Sequence, residues 1–328
     1  MAQDRRMFLA GISAAAIAAT GFGRMARAED PDVLTLDWAY YNPLSLILRD
    51  RGIIEQRLAP RGIEVQWVQS LGSNKAVEFL NSGSVAFGST AGAAALLGRV
   101  AGAPIRTVYV YSKPEWTALV TRPDTGISKV EDLKGRSIAV TKGTDPYVFL
   151  LRSLEGAGLS AGDVDLVLLQ HDQGRLALER GDVDAWAGLD PMMAQSELTA
   201  GAILFHRDPD LNSYGTLNVH EDFLAQSPDL VREVLASYEE ARAIAHAEPD
   251  ALQALLAEVA KLPPEVAARQ LERTGLEESW PTQTHVDTIQ GAGLALQGAG
   301  VIAADVDVPA VTAELVDPEA VAAFVGQG

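Results

Sequence analysis

Residues 33–68 read VLTLDWAYYNPLSLILRDRGIIEQRLAPRGIEVQWV, and this stretch decides the fold. Residues 33–37 form a β-rich run. Asn42 then Pro43 mark a helix start over 43–51, because an Asn side chain satisfies a first-turn N–H and proline gives up a donor that has no helical partner there. Residues 62–68 alternate apolar and polar, the pattern of a second strand. Strand, helix and strand in succession signal α/β architecture with a largely parallel sheet. The same rhythm runs outward: a helix over 74–81, a strand over 85–88, a helix opened by Ser89-Thr90-Ala91-Gly92, and a β-branched strand over 105–111.

The rhythm restarts with strands over 117–121, 137–140, 164–169, 183–186 and 203–206. Between them lie a short helix at 129–133, a helix from Thr144-Asp145-Pro146 to about residue 157, one over 174–180 and one from Asp190-Pro191. A strand over 214–219 crosses back. Residues 228–274 are helical with breaks at Pro249 and Pro263-Pro264; one more helix follows Pro281, then VDVPA and a frayed Gly-rich end. The expected organisation is therefore one lobe of 29–115 plus 214–328 and a second of 116–213. Two crossings, near Lys113-Pro114 and Ser213-Tyr214, form a hinge. A length of 328 residues agrees with two lobes, at about 100–200 residues each.

Composition narrows the function. There is no cysteine, which excludes disulfides, Cys-ligated zinc, Fe–S clusters and a thiol nucleophile. A formal net charge of −18 argues against nucleic acid as a partner, since a phosphate-backbone binder needs a basic face. A small anion in a locally positive pocket remains compatible with it. Residues 1–28 read as a twin-arginine export signal: Arg5-Arg6, an apolar stretch over 9–22, and Ala26-Arg27-Ala28 as the cleavage pattern. The apolar stretch is shorter than the about 20 residues of a lipid-spanning helix. The expectation is an exported, periplasmic, monomeric protein that is not membrane-embedded.

Five points share one design, in which a strand ends and small or polar residues open a helix: Tyr40-Tyr41-Asn42-Pro43, Gly72-Ser73-Asn74, Ser89-Thr90-Ala91-Gly92, Lys142-Gly143-Thr144-Asp145-Pro146 and Gly188-Leu189-Asp190-Pro191. Such starts lie at the C-terminal edge of parallel strands, where ligands bind. Their free N–H groups and partial positive charge suit an anion without any lysine. Each residue alone reads equally well as an ordinary cap. Tyr40, Tyr41, Trp116 and Tyr214 fall at strand edges or the hinge, suited to lining a slot or to packing between lobes. His171, His206, His220, His246 and His285 show no metal-binding spacing, and no GxSxG, Walker or GxGxxG motif occurs. Asp182 and Asp184 read as turn and cap residues. Neither a cofactor nor an enzymatic role is expected.

Three phrases carry a resemblance: GSNKAVEFLNSGSVAFGSTAGAAAL (72–96), SKVEDLKGRSIAVTKGTDPYVFLLR (128–152) and LERGDVDAWAGLDPMMA (178–194). Together they resemble the periplasmic sulfonate-binding proteins of ABC importers, a group that includes nitrate, taurine and thiamine-precursor binders. The resemblance spans about 33–225. It implies a type II two-lobed periplasmic-binding-protein fold, each lobe a mostly parallel sheet flanked by helices, that delivers an organosulfonate to a membrane permease driven by a cytoplasmic ATPase. Ser89 and Thr90 match the anion-facing helix start of the first lobe, Gly143-Thr144 the polar turn of the second, and Asp190 the aspartate of an aromatic-x-Asp-Pro turn. Leu189 stands where aliphatic-sulfonate members tend to have Trp, Asp145-Pro146 replaces a serine run, and the Tyr40-Tyr41 loop differs from the Gly-Ser type. The expected ligand-binding set is Tyr40, Asn42, Asn74, Ser89, Thr90, Ala91, Trp116, Gly143, Thr144, Asp190 and Tyr214. A heteroaromatic such as a thiamine pyrimidine precursor, or taurine or nitrate, is the alternative ligand.

Overall fold

Leu34 and Leu36 are fully buried in β1 (Val33–Trp38), while the Val33 side of the strand faces out. In this computed structural model, which describes residues 31–326, the expected start of α1 (Pro43–Arg51) is made as the sequence indicates. Asn42 Oδ1 accepts from Ser45 N at 3.3 Å, and Gly52 ends the helix at φ 59°, a left-handed conformation that favours glycine. The export signal and its cleavage after Ala28 lie outside the described residues.

The chain continues through α2 (Ile53–Leu58), β2 (Glu64–Gln69), α3 (Ser73–Asn81), β3 (Phe87–Ala91), α4 (Gly92–Val100) and β4 (Ile105–Pro114). The next block is β5 (Leu119–Thr121), β6 (Ser137–Val140), α5 (Asp145–Gly156), β7 (Asp165–Leu168), α6 (His171–Arg180), β8 (Ala185–Ala187), α7 (Met192–Ala200) and β9 (Ile203–His206). The return brings β10 (Gly215–His220), α8 (Glu221–Gln226), α9 (Pro228–Ala247), α10 (Pro249–Ala260), α11 (Pro264–Glu272), β11 (Thr274–Gly275), α12 (Gln283–Gly298), α13 (Val308–Leu315) and α14 (Pro318–Val325).

Two sheets result, one ordered β11-β4-β10-β3-β1-β2 and the other β7-β6-β8-β5-β9. Both are mixed, where the sequence rhythm suggested mostly parallel pairing. The pairs β1·β2, β1·β3, β6·β7 and β6·β8 are parallel, but β10 runs antiparallel between β3 and β4, and β5 runs antiparallel to β8 and β9. The cause is the crossing itself: β5 enters the second sheet, and β10 re-enters the first, without the crossover helix that a parallel neighbour requires. Residues 115–118 and 207–214 connect the sheets. They are tied by Thr117 N to Asn212 Oδ1 at 3.2 Å and by an Arg207–Glu115 ion pair at 2.7 Å.

Four local readings are corrected. Ser89 and Thr90 belong to strand β3, and α4 starts only at Gly92. The segment after residue 307 is two capped helices, with Asp307 and Asp317 accepting from Ala310 N and Ala320 N. Strand β11 pairs with Lys113 and Pro114 at the sheet edge. Asp184, expected as a turn or cap residue, instead ties the start of β8 to β6: its carboxylate accepts from Ser137 N and Oγ at 2.9 Å, 47 residues away. Apolar side chains of α4 and α12 pack with those of α5 in one cluster, so helices that flank the two sheets are in contact.

Candidate functional site

The C-terminal ends of β1, β3, β6, β7 and β8 lead into the polar turns that carry the candidate residues. On the first wall, Asp37 accepts Ser89 N at 2.8 Å and Ser89 Oγ at 2.8 Å. Asn42 Nδ2 donates to Ser89 Oγ at 2.8 Å, and Tyr41 OH donates to Ser89 O at 3.0 Å. Burial pushes the Asp37 carboxyl up to about 6, against the pull of the Ser89 hydrogen bonds. Thr90 Oγ1 is held by Asn218 Nδ2 at 2.7 Å and Thr216 Oγ1 at 3.1 Å, and Tyr111 OH donates to Thr90 O. The hydroxyls and carbonyls of Ser89 and Thr90, and the Ser89 N–H, are therefore engaged within the protein.

The start of α4 is engaged as well. Ala91 N donates to Ser73 Oγ at 2.9 Å, Gly92 N to Tyr214 O at 2.9 Å and Ala93 N to Ser213 Oγ at 3.1 Å. Behind Ser213 stands a carboxylate of the chain's own. Asp145 accepts Ser213 Oγ at 2.6 Å, Ser213 N at 2.9 Å and Trp116 Nε1 at 2.8 Å. Burial raises its pKa above the ordinary carboxylate value, although these donors act the other way. Trp116 meets Tyr41 edge-on at 5.9 Å between ring centroids and lies 6.5 Å from Tyr111. Leu189 from the second sheet joins this aromatic wall.

Three other helix starts carry no side-chain cap: α3, α5 and α6. They meet. A methyl group added at Gly72, just before α3, would lie 2.9 Å from Asn74 Oδ1 and 3.0 Å from His171 Nε2, the first residue of α6. One added at Gly143, before α5, would lie 3.6 Å from Asn74 Cβ. Gly143 holds φ +77°, so the turn into α5 favours glycine. Thr144 Oγ1 turns back to Thr141 O at 2.6 Å, so this hydroxyl is already engaged within the turn. His171 is 1 % exposed. Thr141 Oγ1 donates to Leu169 O at 2.7 Å, so at 3.2 Å it accepts from His171 Nδ1–H, and Nε2 keeps a bare lone pair. His171 Nε2, Asn74 Oδ1 and Gln170 Oε1 are buried without hydrogen-bond partners. Burial alone lowers the His171 pKa to about 3.

At the opposite side, Asp190 accepts Ala194 N at 2.8 Å, and Arg273 Nη1 lies 3.4 Å from Asp190 Oδ2. Arg273 Nη2 also bonds Glu197, which pairs with Arg269 at 2.8 Å. Helix α11 of the first sheet's side is thus latched to α7 of the second. Burial outweighs the Arg273 attraction, and the Asp190 pKa rises from 3.8 to about 7. A carboxyl raised in the folded state contributes stability fully below its unfolded pKa, and that contribution is lost as pH rises through about 7. The urea stability of the wild type relative to Asp190→Asn is expected to fall between pH 4 and 7, by on the order of 4 kcal/mol at about 1.4 kcal/mol per pH unit. A difference that stays flat across this window would contradict the assignment.

Of the sequence-derived candidates, Asn74, Gly143 and Thr144 come together at the helix junction, and Tyr41's neighbour Trp116 lies against α5. Asn42, Ser89, Thr90 and Ala91 form the supporting wall. Asp190 sits in the latch. Tyr40 packs edge-on to Trp38 at 5.5 Å, with its carbonyl held by Gln270, and Tyr214 meets His285 edge-on at 4.2 Å at the hinge. Sequence reasoning left out Asp37, Gln170, His171 and Arg273. The signal for His171 was present: QHD follows the strand ending at Leu168, the same strand-to-helix design as the other five points. Among the described residues no group of three His, Cys, Asp or Glu side chains forms a metal site, and no helix is long and apolar enough to cross a membrane.

Two mixed sheets joined by two short connections define a two-lobed α/β fold of the periplasmic-binding-protein type. The family described as NMT1/THI5 like matches residues 58–252, more than half of the chain, and the chain belongs to that family. It is 28 % identical over 268 residues to an Escherichia coli (strain K12) protein whose name assigns it aliphatic sulfonates, covering 81 % of this chain and 83 % of that one. It is 27 % identical over 269 residues to the riboflavin-binding protein RibY of Chloroflexus aurantiacus, covering 76 % of each. Among solved structures, the alkanesulfonate-binding protein SsuA from Xanthomonas axonopodis pv. citri bound to MOPS superposes with TM-score 0.79. The match has 24 % identity and covers 86 % of this chain and 98 % of that one, and at that identity it speaks for the shared periplasmic-binding-protein fold.

Proposed function

We propose that this chain is the periplasmic solute-binding component of an ABC importer, and that it captures a small organosulfonate. The lobes, 29–115 with 214–328 and 116–213, close on the solute, and the closed form docks on the permease, which a cytoplasmic ATPase drives. The reading includes export through the twin-arginine signal and action as a monomer. One observation carries the anionic head group: the uncapped N-termini of α3, α5 and α6 meet across the crevice. Their unpaired N–H groups and partial positive charges suit a monoanion without a lysine. The sulfonate-binding relatives support the choice of anion. Binding is the role these residues support, since none is arranged as nucleophile and base.

Calorimetric titration with alkane- and arylsulfonates, taurine, nitrate and sulfate tests the reading. At least one sulfonate is expected to bind with micromolar affinity, about 8 kcal/mol, and binding of none would overturn it. A second reading is favoured by the buried carboxylates Asp37 and Asp145 behind the Tyr41–Trp116 wall. These suit an amino-bearing heteroaromatic, and the RibY relative agrees with it. Binding of an aminopyrimidine or flavin, with no sulfonate bound, would select that reading.

A further inference from the structure

Three helix N-termini favour an anion, yet the side chain that reaches deepest into their junction presents a lone pair. His171 Nε2 packs against Gly72 at the start of α3, is buried, and has no partner. An anion placed there meets repulsion from that lone pair unless Nε2 gains a proton. The tautomer is already set for this gain. Nδ1–H is committed to Thr141 Oγ1, so a proton arriving from solvent at Nε2 makes an imidazolium without disturbing the existing bond. We propose that His171 is a proton-coupled anion ligand, which takes up one proton as the ligand enters and donates from Nε2 to it. The proposal rests on the anion-binding reading above and assigns His171 a role in it.

The surroundings agree. The charged residues on the packed elements are Lys75 and Glu78 on α3, paired at 2.6 Å, Lys142 on the turn into α5, Asp145, Arg152 and Glu155 on α5, Asp172, Arg175, Glu179 and Arg180 on α6, and Glu197 on α7; of these Asp145 is the buried one, its carboxylate held by Ser213 and Trp116 and its pKa raised by burial. Arg175 is paired with Glu179 at 2.9 Å, and Lys142 and Asp172 are exposed. Burial alone keeps His171 neutral before an anion arrives. A negative charge in contact reverses that preference, as an opposite charge within about 4–6 Å favours the charged form. Affinity is then highest at low pH, falls as pH rises above the pKa of the free imidazole, and levels off once pH passes the imidazolium pKa of the complex.

The test is calorimetry with ethanesulfonate at pH 7.5 in Tris and in imidazole buffers, whose different ionisation enthalpies report proton uptake. The wild type is expected to take up close to one proton per ligand while pH lies below the pKa of the complex, and its Kd to rise up to tenfold per pH unit between the low pKa of the free protein and the pKa of the complex, levelling off above it. His171→Gln is expected to bind more weakly with uptake near zero and a flat pH profile. A histidine-selective NMR spectrum of the wild type, titrated with ethanesulfonate, gives the same answer if the variant does not fold, by showing one buried histidine become charged. Ethanesulfonate binding without proton uptake, or with the same uptake in the variant, overturns the role of His171 and leaves the sulfonate reading standing. No binding of any sulfonate overturns both.

Discussion

Asp145→Ala is expected to fold but to lose closure, with ligand affinity reduced at least 100-fold and urea stability lowered by about 3 kcal/mol or more. The substitution strips an acceptor from three buried donors at once: Ser213 Oγ, Ser213 N and Trp116 Nε1. Each buried donor left unsatisfied costs about 1–3 kcal/mol. One term opposes this, because removing a buried carboxylate relieves the desolvation that raises its pKa. The three donors outweigh it, since two are at 2.8 Å or less and all lie on the segments linking the sheets. Asp145→Asn keeps the shape but turns an amide N–H toward a donor, so an intermediate loss is expected. Small-angle scattering with and without ligand, together with urea titration, checks both variants. Unchanged closure and stability in Asp145→Ala would remove the carboxylate from the account.

The second large effect is at the latch. Arg273→Met leaves Asp190, 1 % exposed, without its cation, while Glu197 keeps Arg269. Breaking a buried pair from one side costs about 3–5 kcal/mol, whereas replacing both partners by apolar groups is often neutral. Arg273→Met is therefore expected to lose about that much stability near pH 7.5 and to recover part of it at pH 5, where Asp190 is protonated. The double variant Arg273→Met with Asp190→Leu is expected to recover most of the loss at both pH values. Denaturant unfolding of the single and double variants at the two pH values reads this directly. A double variant no better than the single one would show that the pair is not the source.

The fold was legible because its signals are local. Asn42-Pro43, the alternation around Trp67 and the Thr144-Asp145-Pro146 start each depend on a few adjacent residues, and each element formed close to its expected place. The C-terminal helices were less legible: α14 buries only Val321 among its eight residues, so it has little apolar pattern to read. The site was legible as a set of helix starts and illegible in which starts are already occupied. Ser89 is absorbed by Asp37, 52 residues away, and the α4 start by Ser213, 120 residues away. Asp190 meets its arginine across 83 residues. Such pairings depend on how the sheets are laid together, which residue spacing does not encode. Asp145 in place of a serine run was the one sequence departure that pointed to the change.

The position of a bound sulfonate is most directly measured through its sulfur. The chain has no cysteine, and its methionines in the described residues are Met192 and Met193 alone. A long-wavelength anomalous map of crystals grown with ethanesulfonate therefore separates the ligand from the protein. The account predicts a sulfur peak at the junction of Asn74, Gly143 and His171. A peak beside Ser89 and Thr90 at the start of α4, with the α3–α5–α6 junction empty, would contradict it.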